Sequence, residues 1–170
     1  ESVFPWTGVQ QVLGRPGASL GIMHDGSDDG RVLASTAVGQ WPWKWGANGL
    51  SWRAQVWDAE SGASRHMPAV PDARGVSVRG DGKRLAVALA DGGVAVLDAP
   101  SGERLDGSDV GHGRAWGVAY SPDGRRLASA GHDGRVLVWD AEDVAAGPLL
   151  NLRAADSYAY GVEWSPDGTR

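Results

Sequence analysis

The alternation of apolar and polar positions is clearest between Gly111 and Ala141, GHGRAWGVAYSPDGRRLASAGHDGRVLVWDA. Three apolar runs, Trp116 to Tyr120, Leu127 to Ala130 and Val136 to Trp139, are separated by Ser121-Pro122-Asp123-Gly124 and by His132-Asp133-Gly134. Short runs rich in Val, Leu, Tyr and Trp, bounded by Asp-Gly turns, predict strands joined by tight hairpins. No helical period runs through the stretch, so the expectation is three antiparallel strands in about thirty residues.

The unit recurs. Gly75 to Ala99 aligns without a gap on Gly117 to Ala141, an offset of 42 residues, matching Asp81-Gly82 to Asp123-Gly124, Asp91-Gly92 to Asp133-Gly134 and Asp98-Ala99 to Asp140-Ala141. A further copy opens at Gly161-Val162 and runs through Ser165-Pro166-Asp167-Gly168, 44 residues on. An earlier copy sets Gly21-Ile22-Met23-His24 against Gly117 to Tyr120 and Arg31 to Ser35 against Arg125 to Ser129, with a turn two residues longer between them. It recovers after an insert, Gly39 to Leu50, with a strand from Trp52 to Asp58 and another from Ala63 to Met67. A period of about 40–45 residues with four strands per unit points to the blades of a β-propeller and away from a sandwich. The expected fold is all-β, with four-stranded antiparallel blades over 19–68, 75–108 and 116–153, a partial blade at 158–170 and an outer strand of a preceding blade at 8–13. About three complete blades make an incomplete propeller, with missing blades expected from the rest of a longer chain or from a second chain.

Gly111-His112 before the first strand and Trp139-Asp140 at the end of the third, with 26 residues between them, resemble the signature of a WD repeat (WD40) of the β-propeller family. The match is close over residues 75–170 and loose before that. The resemblance implies a structural tetrad that ties a blade together: His112, Ser129 on the second strand, Asp133 in the second turn and Trp139 on the third strand. A buried Asp needs donors, and imidazole, hydroxyl and indole N–H can relay one another. Ser, His and Asp are also the residue types of a hydrolase triad, but the resemblance gives all three a structural role. The second unit has Val87 and Leu97 at the equivalent places and keeps only Asp91, so apolar packing is expected there.

Composition narrows the function. The 170 residues carry 16 basic and 21 acidic side chains, net charge -5, scattered along the chain. That argues against nucleic acid as a partner. No apolar run approaches the roughly 18 residues of a membrane helix, and no signal peptide is visible. Zero cysteines exclude disulfides and thiolate metal sites and make the cytoplasm the default compartment. The 14 arginines against 2 lysines and the SPDG turns point to a bacterial protein.

Two further features are candidates for chemistry. Asp25-Gly26-Ser27-Asp28-Asp29-Gly30 has the acidic spacing that opens a calcium loop, but the twelfth position, Thr36, lacks the bidentate carboxylate. A hairpin turn is the favoured reading. Trp41, Trp43 and Trp45 alternate within the insert and are either packed on a neighbouring blade or exposed as a partner-binding platform. By its resemblance the chain is expected to be a non-catalytic scaffold binding other proteins on a propeller face, without cofactor or metal, with the sensor domain of a larger bacterial protein as one form of that role. The alternative is a propeller hydrolase or lactonase with a metal in the central channel. That needs ligands on several inner strands, where the middle positions read Ser77, Ala119 and Glu163.

Overall fold

The computed structural model describes residues 21–39, 51–109 and 111–170. Their strands form three four-stranded antiparallel sheets, each in chain order. The first contains β1 (Gly21–Gly26), β2 (Val32–Gly39), β3 (Ser51–Asp58) and β4 (Ser64–Pro71). The second contains β5 (Ala73–Val78), β6 (Arg84–Leu89), β7 (Val94–Asp98) and β8 (Arg104–Ser108). The third contains β9 (Ala115–Tyr120), β10 (Arg126–Gly131), β11 (Arg135–Asp140) and β12 (Leu150–Arg153). One 3-10 turn, Val144–Ala146, is the single helical element among the described residues. This is the all-β, blade-by-blade architecture of an incomplete propeller, as the period predicts. β4 runs to Pro71, beyond the expected Met67, across an irregularity in its pairing with β3. Residues 158–170 form no strand, although their turn closes. The expected strand at 8–13 and the Trp41, Trp43 and Trp45 cluster lie outside the described residues.

The first hairpin of each blade turns at what we term its lower end. Ser121 Oγ donates to Asp123 Oδ1 (2.6 Å) and accepts from the Arg126 amide (2.9 Å). Ser165, Asp167 and Arg170 repeat the arrangement, with Asp167 drawn down to about 2 by the Ser165 hydroxyl and the Thr169 amide and hydroxyl. Ser27, Asp29 and Val32 repeat it again. Gly30, Gly124 and Gly168 share φ of 69°, 68° and 67°, the left-handed conformation such a turn requires. Asp25 and Gly26 therefore belong to β1, and Ser27–Gly30 is an ordinary four-residue turn and not one lengthened by two. That corrects the alignment of the first copy: Met23 to Gly26, not Gly21 to His24, falls on Gly117 to Tyr120. The ladders agree, since Asp25 pairs with Ala34, Ser77 with Ala86 and Ala119 with Ala128.

The innermost strands β1, β5 and β9 lie side by side. A Cβ on Gly75 would stand 2.5 Å from the Trp116 carbonyl oxygen and 3.0 Å from Gly117 Cα. One on Gly117 would stand 3.0 Å from Gly161 Cα. Glycine recurs here because one backbone abuts the next. Below this contact the strands are stitched by side chains. Ser77 Oγ and the Val78 amide donate to Asp25 Oδ2 (2.7 and 2.9 Å), the Tyr120 amide donates to Ser77 Oγ (3.0 Å), and Trp164 Nε1 donates to the Ala119 carbonyl (3.1 Å). With a blade on either side, the middle sheet is buried on both faces: Leu85 to Leu89 and Val94 to Leu97 are all core.

Gly75→Ala is expected to cost about 1–3 kcal/mol through overpacking against β9. Gly113→Ala, where a Cβ meets nothing within 4 Å, serves as the control. Thermal melts of the two variants check this, and equal melting temperatures would show that the strands are not in contact.

Candidate functional site

The structure brings His112, Ser129, Asp133 and Trp139 into one chain of hydrogen bonds. Trp139 Nε1 donates to Ser129 Oγ (2.9 Å), Ser129 Oγ lies 2.9 Å from His112 Nε2, and His112 Nδ1 lies 2.8 Å from Asp133 Oδ1. Direction follows from the two ends. Indole is only a donor and carboxylate only an acceptor, so a neutral imidazole carries its proton on Nδ1 and accepts the serine hydroxyl at Nε2. Ser129 and Trp139 have no exposed surface, and His112 is 5% exposed. A Cβ on Gly131 would fall 2.3 Å from His112 Cγ, so the imidazole occupies room that only glycine leaves. Gly111 lies over the Trp139 ring and against the Gly92 carbonyl, which accepts the His112 amide (3.0 Å).

One expectation is corrected. Asp133 is not buried: its side chain is 29% exposed. It sits on the β10–β11 turn, with Oδ1 on His112 and the Arg135 amide and Oδ2 facing the Arg135 guanidinium at 3.9 Å. Partial burial pushes its carboxyl up, but the bonds from His112 and the Arg135 amide outweigh that and hold it below its ordinary 3.8.

The relay has the residue order of a hydrolytic triad without an accessible nucleophile. Ser129 Oγ is sealed between Trp139 and His112, where no substrate carbonyl reaches it. In the second sheet the same places are apolar: Val70 stands for His112, Val87 for Ser129, Leu97 for Trp139, and Leu89 fills the space opposite Gly131. Asp91 there only accepts the Gly93 amide. The first sheet keeps a weaker half of the relay, Trp57 Nε1 to Ser35 Oγ at 3.4 Å. The sequence reading missed this pair, although Ser35 and the Trp57-Asp58 dipeptide were both in its alignment.

Above the relay lies a surface that the sequence reading also missed. In β5 the pairing jumps from Ala73↔Leu89 to Gly75↔Ala88, and in β9 from Ala115↔Gly131 to Gly117↔Ala130. Arg74 and Trp116 are thus bulged, and a bulge re-aims its side chain. The Arg74 guanidinium lies 5.1 Å from the Trp116 ring centre, within cation–π range. Burial lowers the Arg74 pKa, Asp72 opposes that and Arg114 adds to it, with a net downward shift. Tyr160, at the same place in the next copy, is 5.6 Å from Trp116, Tyr158 is 5.9 Å from Tyr160, and His132 is 4.1 Å from Tyr158. The result is a continuous row of rings at the upper end, with Tyr158 45% and Tyr160 61% exposed. The signal was the residue before each aligned glycine, at 74, 116 and 160.

The acidic turn is not arranged as a cation site. Asp25 accepts from Ser77, Val78 and Gly26, and Asp29 from Ser27 and Arg31. Among the described residues no group of three or more His, Cys, Asp or Glu is placed to hold a metal ion. Nor is any helix there long and apolar enough to cross a membrane.

Four-stranded antiparallel blades packed through their inner strands define a β-propeller architecture. The model of the WD domain, G-beta repeat, matches residues 105–140, the stretch that holds the relay. WD repeats in general build protein-interaction scaffolds. No curated protein matches the chain.

Ser129→Ala is expected to cost about 1–3 kcal/mol, because it leaves the Trp139 N–H and His112 Nε2 unpaired inside the core. Asp133→Ala, at the exposed end, is expected to cost less. Because the folded Asp133 pKa lies below its unfolded value, its contribution is fully present above about pH 4 and is lost as pH falls through the folded pKa. Asp133→Asn should therefore flatten the acid limb of stability against pH. Urea melts of the three variants between pH 2 and 7 measure both effects.

Proposed function

We propose that the chain is a non-catalytic scaffold whose upper end docks other proteins through the ring row Arg74, Trp116, Tyr160, Tyr158 and His132. The observation that carries this is the row itself. Its arginine and its rings come from two bulged strands, a turn and the start of the next repeat, and Tyr158 and Tyr160 stand in solvent. Large aromatic side chains with an arginine beside them are what protein interfaces enrich. Trp41, Trp43 and Trp45 are proposed as further partner-binding residues; Gly39 and Ser51, on either side of their segment, pair at the upper end of the first sheet. The sealed Ser129 hydroxyl supports a role without hydrolytic chemistry. The Asp25 carboxylate, which already accepts from Ser77, Val78 and Gly26, weighs against a metal-dependent hydrolase built on the inner strands, where the middle positions are Asp25, Ser77, Ala119 and Glu163.

The test is capture from a lysate of the source cell on the immobilised chain, compared with a Tyr158→Ser/Tyr160→Ser variant. The variant should fold as well as the parent, since both rings are exposed, and should lose at least one protein that the parent retains. Identical retained sets would place the docking surface elsewhere.

A further inference from the structure

The two interfaces between neighbouring blades are closed differently at their lower ends. Between the second and third sheets, Glu142 Oε1 meets Arg79 at 2.9 Å and Oε2 meets Arg84 at 2.8 Å, while Arg79 also grips Asp81 at 2.7 Å. The Arg79 methylenes run beneath Gly124, where a Cβ would stand 3.0 Å from them. Between the first and second sheets the register puts Ser27 where Arg79 stands, Val32 where Arg84 stands and Pro100 where Glu142 stands. No ion pair among the described residues joins these places, and a cleft of about 350 Å³ lies there, walled by Val32, Val56, Trp57, Asp58, Ala99 and Pro100. Its volume is in the range of binding pockets. Trp57, only weakly tied to Ser35, forms one wall, and among the described residues of the lining Asp58 is the one that carries a charge. The Asp58 carboxyl is held below its ordinary value by the Ser61 amide and hydroxyl, so it is anionic at neutral pH.

We propose that this cleft docks an extended segment of another protein, seating one phenylalanine or leucine side chain against Trp57 with a neighbouring lysine or arginine beside Asp58. The site is independent of the ring row, which lies at the opposite end of the sheets. Apolar walls and one carboxylate at the rim select an apolar side chain with a basic neighbour, and they disfavour an acidic one. A second copy of this chain is the competing occupant.

The probe is the peptide acetyl-Lys-Phe-Lys-amide, titrated into the full chain while the methyl resonances of Val32, Val56, Ala63 and Ala99 are followed. These should shift together and saturate, and acetyl-Lys-Ala-Lys-amide should leave them in place. Acetyl-Glu-Phe-Glu-amide should bind roughly three- to five-fold more weakly, the scale of one exposed charge pair. Val32→Arg/Pro100→Glu rebuilds the neighbouring ion lock and should abolish the shifts without lowering the melting temperature. Asp58→Asn, which keeps an acceptor for Ser61, should erase the preference for the lysine peptide; it tests the proposal even if the double variant fails to fold. Overturning results are unmoved methyls, undiminished binding to a folded double variant, or equal affinity for both phenylalanine peptides. A dimer in sedimentation that the double variant dissolves, with no peptide effect, would give the cleft to a second copy.

Discussion

The close approach of neighbouring inner strands governs the rest of the structure. Where Gly75 meets the Trp116 carbonyl, two backbones touch with no side chain between them. Sheets anchored so tightly at one edge must fan outward. The middle sheet is consequently apolar on both faces, while every residue of the outer strand β12 is exposed. The same contact fixes the bulges: the residue before each glycine has no place between the strands and is turned out. The ring row at the upper end is thus a by-product of the packing that builds the blade stack.

Adjacent blades solve one core position in two chemically opposite ways. In the third sheet His112, Ser129 and Trp139 fill it with a polar relay, and Gly131 leaves the room. In the second, Val70, Val87 and Leu97 fill it with hydrocarbon, and Leu89 takes up the volume. The swap is coordinated because either half alone fails. A lone histidine against Leu89 would clash, and a lone valine against Gly131 would leave a cavity and an unpaired serine. Relay and hydrocarbon are equivalent as packing, but only the relay ties two strands, a loop and a turn together by directed bonds.

Much of this was legible in the residues. The 42-residue period and the Asp-Gly turns locate three sheets because turn chemistry is local and glycine at positive φ leaves a clear trace. The register of the first copy was not legible. Gly21 to His24 resembles Gly117 to Tyr120 in composition, and a bulge that shifts pairing by one residue leaves no mark in an apolar run. The relay partners were expected from the resemblance to WD repeats, but the depth of Asp133 was not legible, since hydrogen-bonding capacity says nothing about solvent on the far side of a carboxylate. The cleft at Val32 and Pro100 becomes visible only when two interfaces are superposed, for it consists of three side chains that are not arginine or glutamate.

The side-chain bonds from β5, β9 and the Trp164 segment to the inner strand before each all run one way. Ser77 and Val78 donate back to Asp25, Tyr120 back to Ser77, and Trp164 back to Ala119. In every case the acceptor belongs to the unit made first and the donor to the unit made next. A chain emerging from the ribosome from its N-terminal end therefore presents each new repeat with an acceptor already in place. Along its inner edge the array is thus polar, each repeat holding the acceptors that the donors of the next one meet, whereas at the lower rim Arg79 and Arg84 donate forward to Glu142.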